Sequence, residues 1–176
     1  MRFAVISSGL GPNGKSLILA RLAEEFLRTH GHSVDFMDLR ELPLPLGGAE
    51  GSFEHPDVGA LTGRLKLADG ILLASPVYNY DVNAAAKNLV ELTGPGWEDK
   101  AVGFLLAAGG HASYMSVMGL ANSLMLDFRC VIVPRFVYAL GREHFTDGAV
   151  SDAEVRRRVE ELARQIVRIA GALKAP

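Results

Sequence analysis

Five short apolar runs recur along the chain, and each is followed by a segment with helical spacing. Phe3–Ile6, Ser33–Leu39, Gly70–Ala74, Lys100–Ala108 and Cys130–Tyr138 read as strands. The third run is apolar throughout, as a strand buried on both faces requires. Between them the apolar positions switch to a helical period. Leu17, Leu19, Ala20, Leu22, Ala23, Phe26 and Leu27 line one such helix, which Gly31 closes in the manner of a left-handed cap. Asp57–Leu67, Val82–Leu92, Ser113–Phe128 and Ser151–Leu173 read as the other helices. Ser151 with Glu154 makes a capping-box pattern. Alternating strands and helices predict a parallel, doubly wound α/β sheet with helices on both faces. Such sheets bind ligands beyond the carboxyl ends of their strands, at a topological switch point. The loops after the first, third and fourth strands are therefore the expected functional surface.

Several function classes fall away on composition. A length of 176 residues predicts one domain spanning 1–176, large enough to bury a core without staples. A net charge of −2 argues against nucleic-acid binding, which needs a basic face, and against an acidic electron shuttle that docks by charge. One cysteine, Cys130, rules out an internal disulfide and a cysteine-built metal site; set in an apolar run, it reads as a buried strand residue. The first six residues are far shorter than a signal-peptide core, and no apolar stretch approaches the ~20 residues of a membrane span. The cytoplasm is the expected compartment, with no membrane or nucleic-acid partner. Residues 43–56 carry three prolines and three glycines and form a long loop. Met115, Met118 and Met125 share one helix and read as core filler, with a subunit surface as the other option.

The first functional loop is Ser7-Ser8-Gly9-Leu10-Gly11-Pro12-Asn13-Gly14-Lys15-Ser16. A glycine-rich turn into a helix offers backbone N–H groups and the positive end of a helix dipole to an anion. The hydroxyls of Ser8 and Ser16, the Asn13 amide and the Lys15 charge are the candidate phosphate ligands. Gly9 to Ser16 also fits G-x-x-x-x-G-K-[ST], the phosphate loop of nucleotide hydrolases and kinases. That chemistry needs a Mg²⁺-holding aspartate at a strand end. The third strand leads into Ser75-Pro76 and the fourth ends at Ala108-Gly109, which leaves only Asp38 after the second. A nucleotide hydrolase or kinase stays open as an alternative, as does a flavin-binding carrier without activity.

The second loop is Ser75-Pro76-Val77-Tyr78-Asn79-Tyr80-Asp81-Val82-Asn83, leading through Ala84-Ala85-Ala86 to Lys87-Asn88. The third is Ala107-Ala108-Gly109-Gly110-His111-Ala112-Ser113-Tyr114. The P-x-Y-N element with its small-residue helix resembles the NADPH-dependent FMN reductase family. The third loop is similar to that family's glycine-glycine turn, and the first to its phosphate loop. The resemblance runs from Phe3 to Tyr138. Many members place an arginine in the first loop where Gly11 stands here, so Lys15 or backbone N–H groups are left to meet the phosphate.

The resemblance implies a flavodoxin-like fold: five parallel strands in the order 2-1-3-4-5. It implies FMN as cofactor and NADPH or NADH as cosubstrate. Hydride would pass from the nicotinamide to FMN and then to a flavin, quinone, azo compound or other small-molecule acceptor, with no catalytic side chain required. It also implies a homodimer or homotetramer. Pro76 lacks an N–H and is expected to end the third strand, leaving the amides of Val77, Tyr78 and Asn79 to face a flat ring. Tyr78 offers an aromatic face with a polar tip. Gly109 and Gly110 allow close backbone approach, and His111 stands beside them.

Overall fold

Strands that are apolar on both faces must be covered on both faces, and the helices divide accordingly. The computed structural model describes residues 1–174. In chain order it contains β1 (Arg2–Ser7), α1 (Lys15–Thr29), β2 (Ser33–Asp38), α2 (Pro56–Lys66), β3 (Gly70–Tyr78), β4 (Asp81–Val82) and α3 (Ala84–Thr93). There follow β5 (Ala101–Ala108), α4 (Met118–Phe128), β6 (Val131–Ile132), β7 (Val137–Leu140), β8 (Phe145–Thr146), β9 (Ala149–Val150) and α5 (Ala153–Lys174). Side chains alternate across β1: Phe3 and Val5 pack with Leu19, Phe26, Val159 and Ile166 of α1 and α5. Ala4 and Ile6 pack on the opposite face with Leu61, Leu89 and Leu124 of α2, α3 and α4. The period of two in the strands thus feeds two separate cores. Gly103 in β5 lets α5 lie close: a Cβ there would stand 2.8 Å from Leu72 and 3.2 Å from Leu162.

The doubly wound α/β sheet is as expected, but it has seven strands in place of five, so that the expected order 2-1-3-4-5 becomes 2-1-3-5-6 once the short β4 is counted. The path is β2-β1-β3-β5-β6, with β7 also beside β5 and β4 beside β3. The fifth run is two strands because Pro134 has no N–H for the ladder and Arg135 adopts a left-handed φ of 61°. Both pieces pair with β5 in parallel. The third strand does not stop before Pro76. It continues to Tyr78, with Pro76 opposite Ala107. By then β1 has ended, its last pairing being Ser7 with Ala74, so β3 has lost one neighbour and the missing N–H is tolerated.

Val77 and Tyr78 then pair antiparallel with Val82 and Asp81 across Asn79 and Tyr80, whose φ values are 50° and 64°. Two consecutive left-handed residues make a type I′ hairpin turn. The β8–β9 hairpin turns the same way on Asp147-Gly148, with φ values of 50° and 76°.

Other expectations shift in detail. A 3-10 segment, His111–Val117, precedes α4 where one helix was expected. Asp152 caps α5 by accepting from the Val155 N–H at 2.8 Å, in place of Ser151. Cys130 is buried, its Sγ 3.1 Å from the Trp97 carbonyl, and burial pushes its thiol up to about 11. Met115, Met118 and Met125 are exposed, which overturns their reading as core.

A tyrosine in the second position of a type I′ turn bears a strain that glycine avoids. Tyr80→Gly should therefore stabilise the fold by about 1 kcal/mol and raise Tm by ~2–4 °C in a thermal melt. An unchanged or lower Tm contradicts this account of the turn.

Candidate active site

The carboxyl ends of β1, β3 and β5 bring the three loops together around a cleft of about 210 Å³. Lys15 and Ser16 line it from the first loop, Pro76, Val77 and Tyr78 from the second, and Gly109 from the third. Gly9, Gly11, Gly14, Ala107, Ala108 and Gly141 complete the wall. Of the other expected residues, Ser8 is fully buried beneath the loop. Asn13, Asn79, Gly110 and His111 are exposed and do not line the cleft. His111 Nε2 instead lies 3.2 Å from Glu143 Oε1 at the surface.

The first loop owes its shape to a buried amide that the sequence did not flag. Asn83 caps α3 by accepting from the Ala86 N–H at 3.3 Å. The same oxygen lies 2.7 Å from the Ser8 hydroxyl and 3.0 Å from the Ser75 hydroxyl. Its amide nitrogen donates to the Ser8 carbonyl at 2.6 Å, and its backbone N–H to Ser75 Oγ at 3.2 Å. Ser8, Ser75 and Asn83 are all buried, so one side chain binds the first loop to the second. The Ser8 hydroxyl is thereby committed to the scaffold.

Ser16 is different. Its hydroxyl is buried without a hydrogen-bond partner at the first turn of α1. A buried hydroxyl without a partner is unfavourable, and among the described residues with such a group Ser16 is the one that lines the cleft. The helix start around it is open: no side chain caps it and no acidic residue stands in its first turn. Gly9 keeps the space free, since a Cβ there would lie 2.5 Å from Ser16 Oγ. Backbone donors, a helix dipole, a free hydroxyl and the neighbouring Lys15 suit a phosphate. Lys15 Nζ sits 5.4 Å from the Phe145 ring centroid. Tyr78, 60% exposed, is the aromatic residue that lines the cleft.

Asp38 answers the nucleotide-hydrolase alternative. Its buried carboxylate is held by Arg40 through Nε at 3.0 Å to both oxygens and through the Arg40 N–H at 3.1 Å. Arg40 Nη1 also donates to the Pro12 carbonyl at 3.2 Å, bracing the first loop from the β2 side. A carboxylate so paired is not disposed to hold Mg²⁺.

Comparison with known proteins agrees. Residues 1–145 match the protein family described as NADPH-dependent FMN reductase. The chain belongs to that family. An NAD(P)H-dependent FAD/FMN reductase of Geobacillus thermodenitrificans (strain NG80-2) is 26% identical over 145 residues, covering 81% of this chain and 78% of that protein. An NAD(P)H:quinone oxidoreductase of Solanum tuberosum is 27% identical over 152 residues, covering 82% and 78%. The flavoenzyme NAD(P)H:(acceptor) oxidoreductase FerB of Paracoccus denitrificans superposes with a TM-score of 0.76 at 18% identity, covering 95% and 97%, a likeness of fold. The protein is an NAD(P)H-dependent oxidoreductase that uses FMN.

The Arg40 guanidinium holds the Asp38 carboxyl below the usual carboxylate range. A depressed folded value gives stability that is complete above the unfolded value of about 3.9 and is lost as pH falls through the folded one. Arg40→Met should thus lower the urea midpoint at pH 7. The gap from wild type should shrink below about pH 4. A gap that is constant from neutral pH to pH 3 refutes the pairing as its cause.

Proposed function

We propose that this cleft holds FMN, its phosphate at the start of α1 and its ring between Tyr78 and the Gly109-Gly110 turn. The observation that carries this reading is the partnerless, buried Ser16 hydroxyl beside an uncapped helix start. Ser16 Oγ donates to the phosphate, Lys15 offsets its charge, and Gly9 leaves it room. Tyr78 packs on the ring, and Pro76 and Val77 supply the floor. Gly109, with no Cβ, lets the third loop close on the ring edge. Bound FMN supplies the hydride transfer from a nicotinamide donor to a small-molecule acceptor. The protein's share is grip, orientation and stabilisation of charge on the reduced ring by fixed backbone dipoles. The match to a quinone oxidoreductase supports a quinone among the acceptors.

The protein as purified should be yellow, and NADPH should bleach it under anaerobic conditions. Replacing Lys15 and Ser16 together with Ala should weaken FMN binding at least tenfold by fluorescence titration, a loss of about 1.4 kcal/mol or more. Unchanged affinity in the double variant removes the phosphate from this loop. Micromolar Mg·ATP binding that is lost on changing Lys15 would instead restore the nucleotide-hydrolase alternative.

The working unit is a homodimer or homotetramer of one-domain chains in the cytoplasm. Several large apolar side chains are exposed. Leu46, Phe53, Met118, Met125 and Leu126 are all exposed, Leu126 at 77%. Phe53, Lys87, Val90, Ser123 and Phe128 line one hollow, so the 43–56 loop, α3 and α4 share that face. Exposed apolar surface of this kind favours a second subunit. Light scattering at micromolar concentration should give at least twice the chain mass, and a monomer mass overturns the assignment. Among the described residues no helix is long and apolar enough to cross a membrane.

A further inference from the structure

The third loop is held far less firmly than the other two. Gly109 to Ala112 are exposed, and a Cβ at Gly109 or Gly110 would meet nothing within 4 Å. The space beside both glycines is open, yet Gly109 lines the cleft. The hydrogen bonds and the ion pair that hold this stretch come from one segment, the end of β7 and the turn behind it. The Gly141 N–H donates to the Ala108 carbonyl at 2.9 Å. His111 meets Glu143 in a pair exposed on both sides, which solvent weakens. The remaining tether is of another kind: the Tyr138 hydroxyl donates to the Gly110 carbonyl, with Ser113 Oγ bonded to it at 2.8 Å. Tyr138 is buried on β7, opposite Leu106 of β5. Its ring packs edge-on against Tyr114 at 5.4 Å, and Tyr114 in turn lies 4.7 Å from Phe136. The hydroxyl is thus a fixed point reaching from the sheet into a glycine loop that would otherwise move.

We propose that Tyr138 is a positioning residue for the flavin: it touches neither cofactor nor substrate, but sets the third-loop peptides against the ring edge. This rests on the reading of the cleft as the FMN site. The physical link is short. A trans peptide points its N–H opposite its C=O. Drawing the Gly110 carbonyl onto Tyr138 therefore turns the next N–H, that of His111, away from the sheet. With that peptide and the neighbouring Gly109 fixed, the dipoles beside the cleft are aligned before the ring becomes negative. Donors already aligned stabilise new charge without reorganising, and loosely held ones do not. Loss of the tether should therefore weaken the grip on reduced FMN more than on oxidised FMN. That difference is a change of potential, which a merely structural tyrosine would not produce.

Tyr138→Phe keeps the ring and its aromatic neighbours and removes only the hydroxyl. Ser113→Ala removes the second arm and tests the same tether should the first variant fail to fold. Oxidised FMN is titrated by fluorescence quenching, the two-electron midpoint is measured by dye-coupled reduction, and the apoprotein is melted. Tyr138→Phe should bind oxidised FMN about tenfold more weakly. Reduced FMN should lose a further tenfold, which moves the midpoint about 30 mV negative. Ser113→Ala should weaken oxidised FMN about threefold and reduced FMN a further threefold, which moves the midpoint about 15 mV negative. Folded Tyr138→Phe with wild-type affinity and midpoint overturns the proposal, even if its Tm falls. If only Ser113→Ala folds, unchanged values there overturn it. Wild-type protein that binds no FMN would sink the cleft reading and this proposal together.

Discussion

The site depends on one buried amide. β1 and β3 are neighbours running the same way, so their ends emerge side by side. Nothing in strand pairing fixes what the chain does beyond those ends. Asn83 does so, because its side chain meets Ser8, Ser75 and the first turn of α3 at once. These groups are shut off from water, and a buried polar group without a partner costs roughly 1–3 kcal/mol. Loop one, loop two and the start of α3 therefore move together or not at all. The hairpin that carries Tyr78 inherits its position from the same anchor, since β4 ends at Val82, immediately before Asn83.

Periodicity made most of the architecture legible. Both faces of β1, β3 and β5 are largely apolar, and the helices carry one apolar stripe, so a doubly wound sheet is the economical solution. The meeting of the three loops was legible for a related reason: each leaves the carboxyl end of a strand in a parallel sheet, and the structure gathers them around one cleft. What stayed hidden was direction and partner. Ser8 and Ser16 look alike in sequence. Ser8 still follows the strand, its N–H bonded to the Ala74 carbonyl at 2.9 Å, and so its side chain turns into the core. Ser16 lies one residue into a helix, where its hydroxyl meets the opening of the cleft. The 78–81 hairpin was hidden because Asn79-Tyr80 lacks the glycine that usually announces a type I′ turn. Asp147-Gly148 carried that signal in full, but its strands are two residues each. The exposed methionines show a further limit. Helical spacing reveals an apolar face without saying whether the core or another surface covers it.

Asn83, Arg40 and Tyr138 escaped notice for a common reason. Each acts on a segment distant in sequence: Asn83 on Ser8, Arg40 on Pro12, Tyr138 on Gly110. Local pattern carries no trace of such a bond. The most useful hint was polarity out of place, such as an asparagine directly after an apolar strand end, or a tyrosine in the middle of a buried strand. Each of those groups needs a partner somewhere, and the search for it leads to the loops.

Charge separates the proposed flavin-phosphate role of the glycine-lysine-serine loop from that of a triphosphate site. Hydrolysis chemistry needs a divalent cation, and a divalent cation needs a carboxylate free to approach it. The carboxylate nearest to that role, Asp38, is spent on Arg40, and Arg40 is spent on Asp38 and the Pro12 carbonyl. The pair is neutral, so it neither attracts Mg²⁺ nor adds a second cation beside Lys15. Lys15 has no acidic partner among the described residues. What remains for an anion is one lysine, one buried hydroxyl and a helix start. A single terminal phosphate can be met by that set, whereas three linked phosphates would bring more negative charge than it offsets. The Asp38–Arg40 pair thus does two things with one contact. It props the loop open from the β2 side, and it removes the group through which the same loop would have recruited a metal.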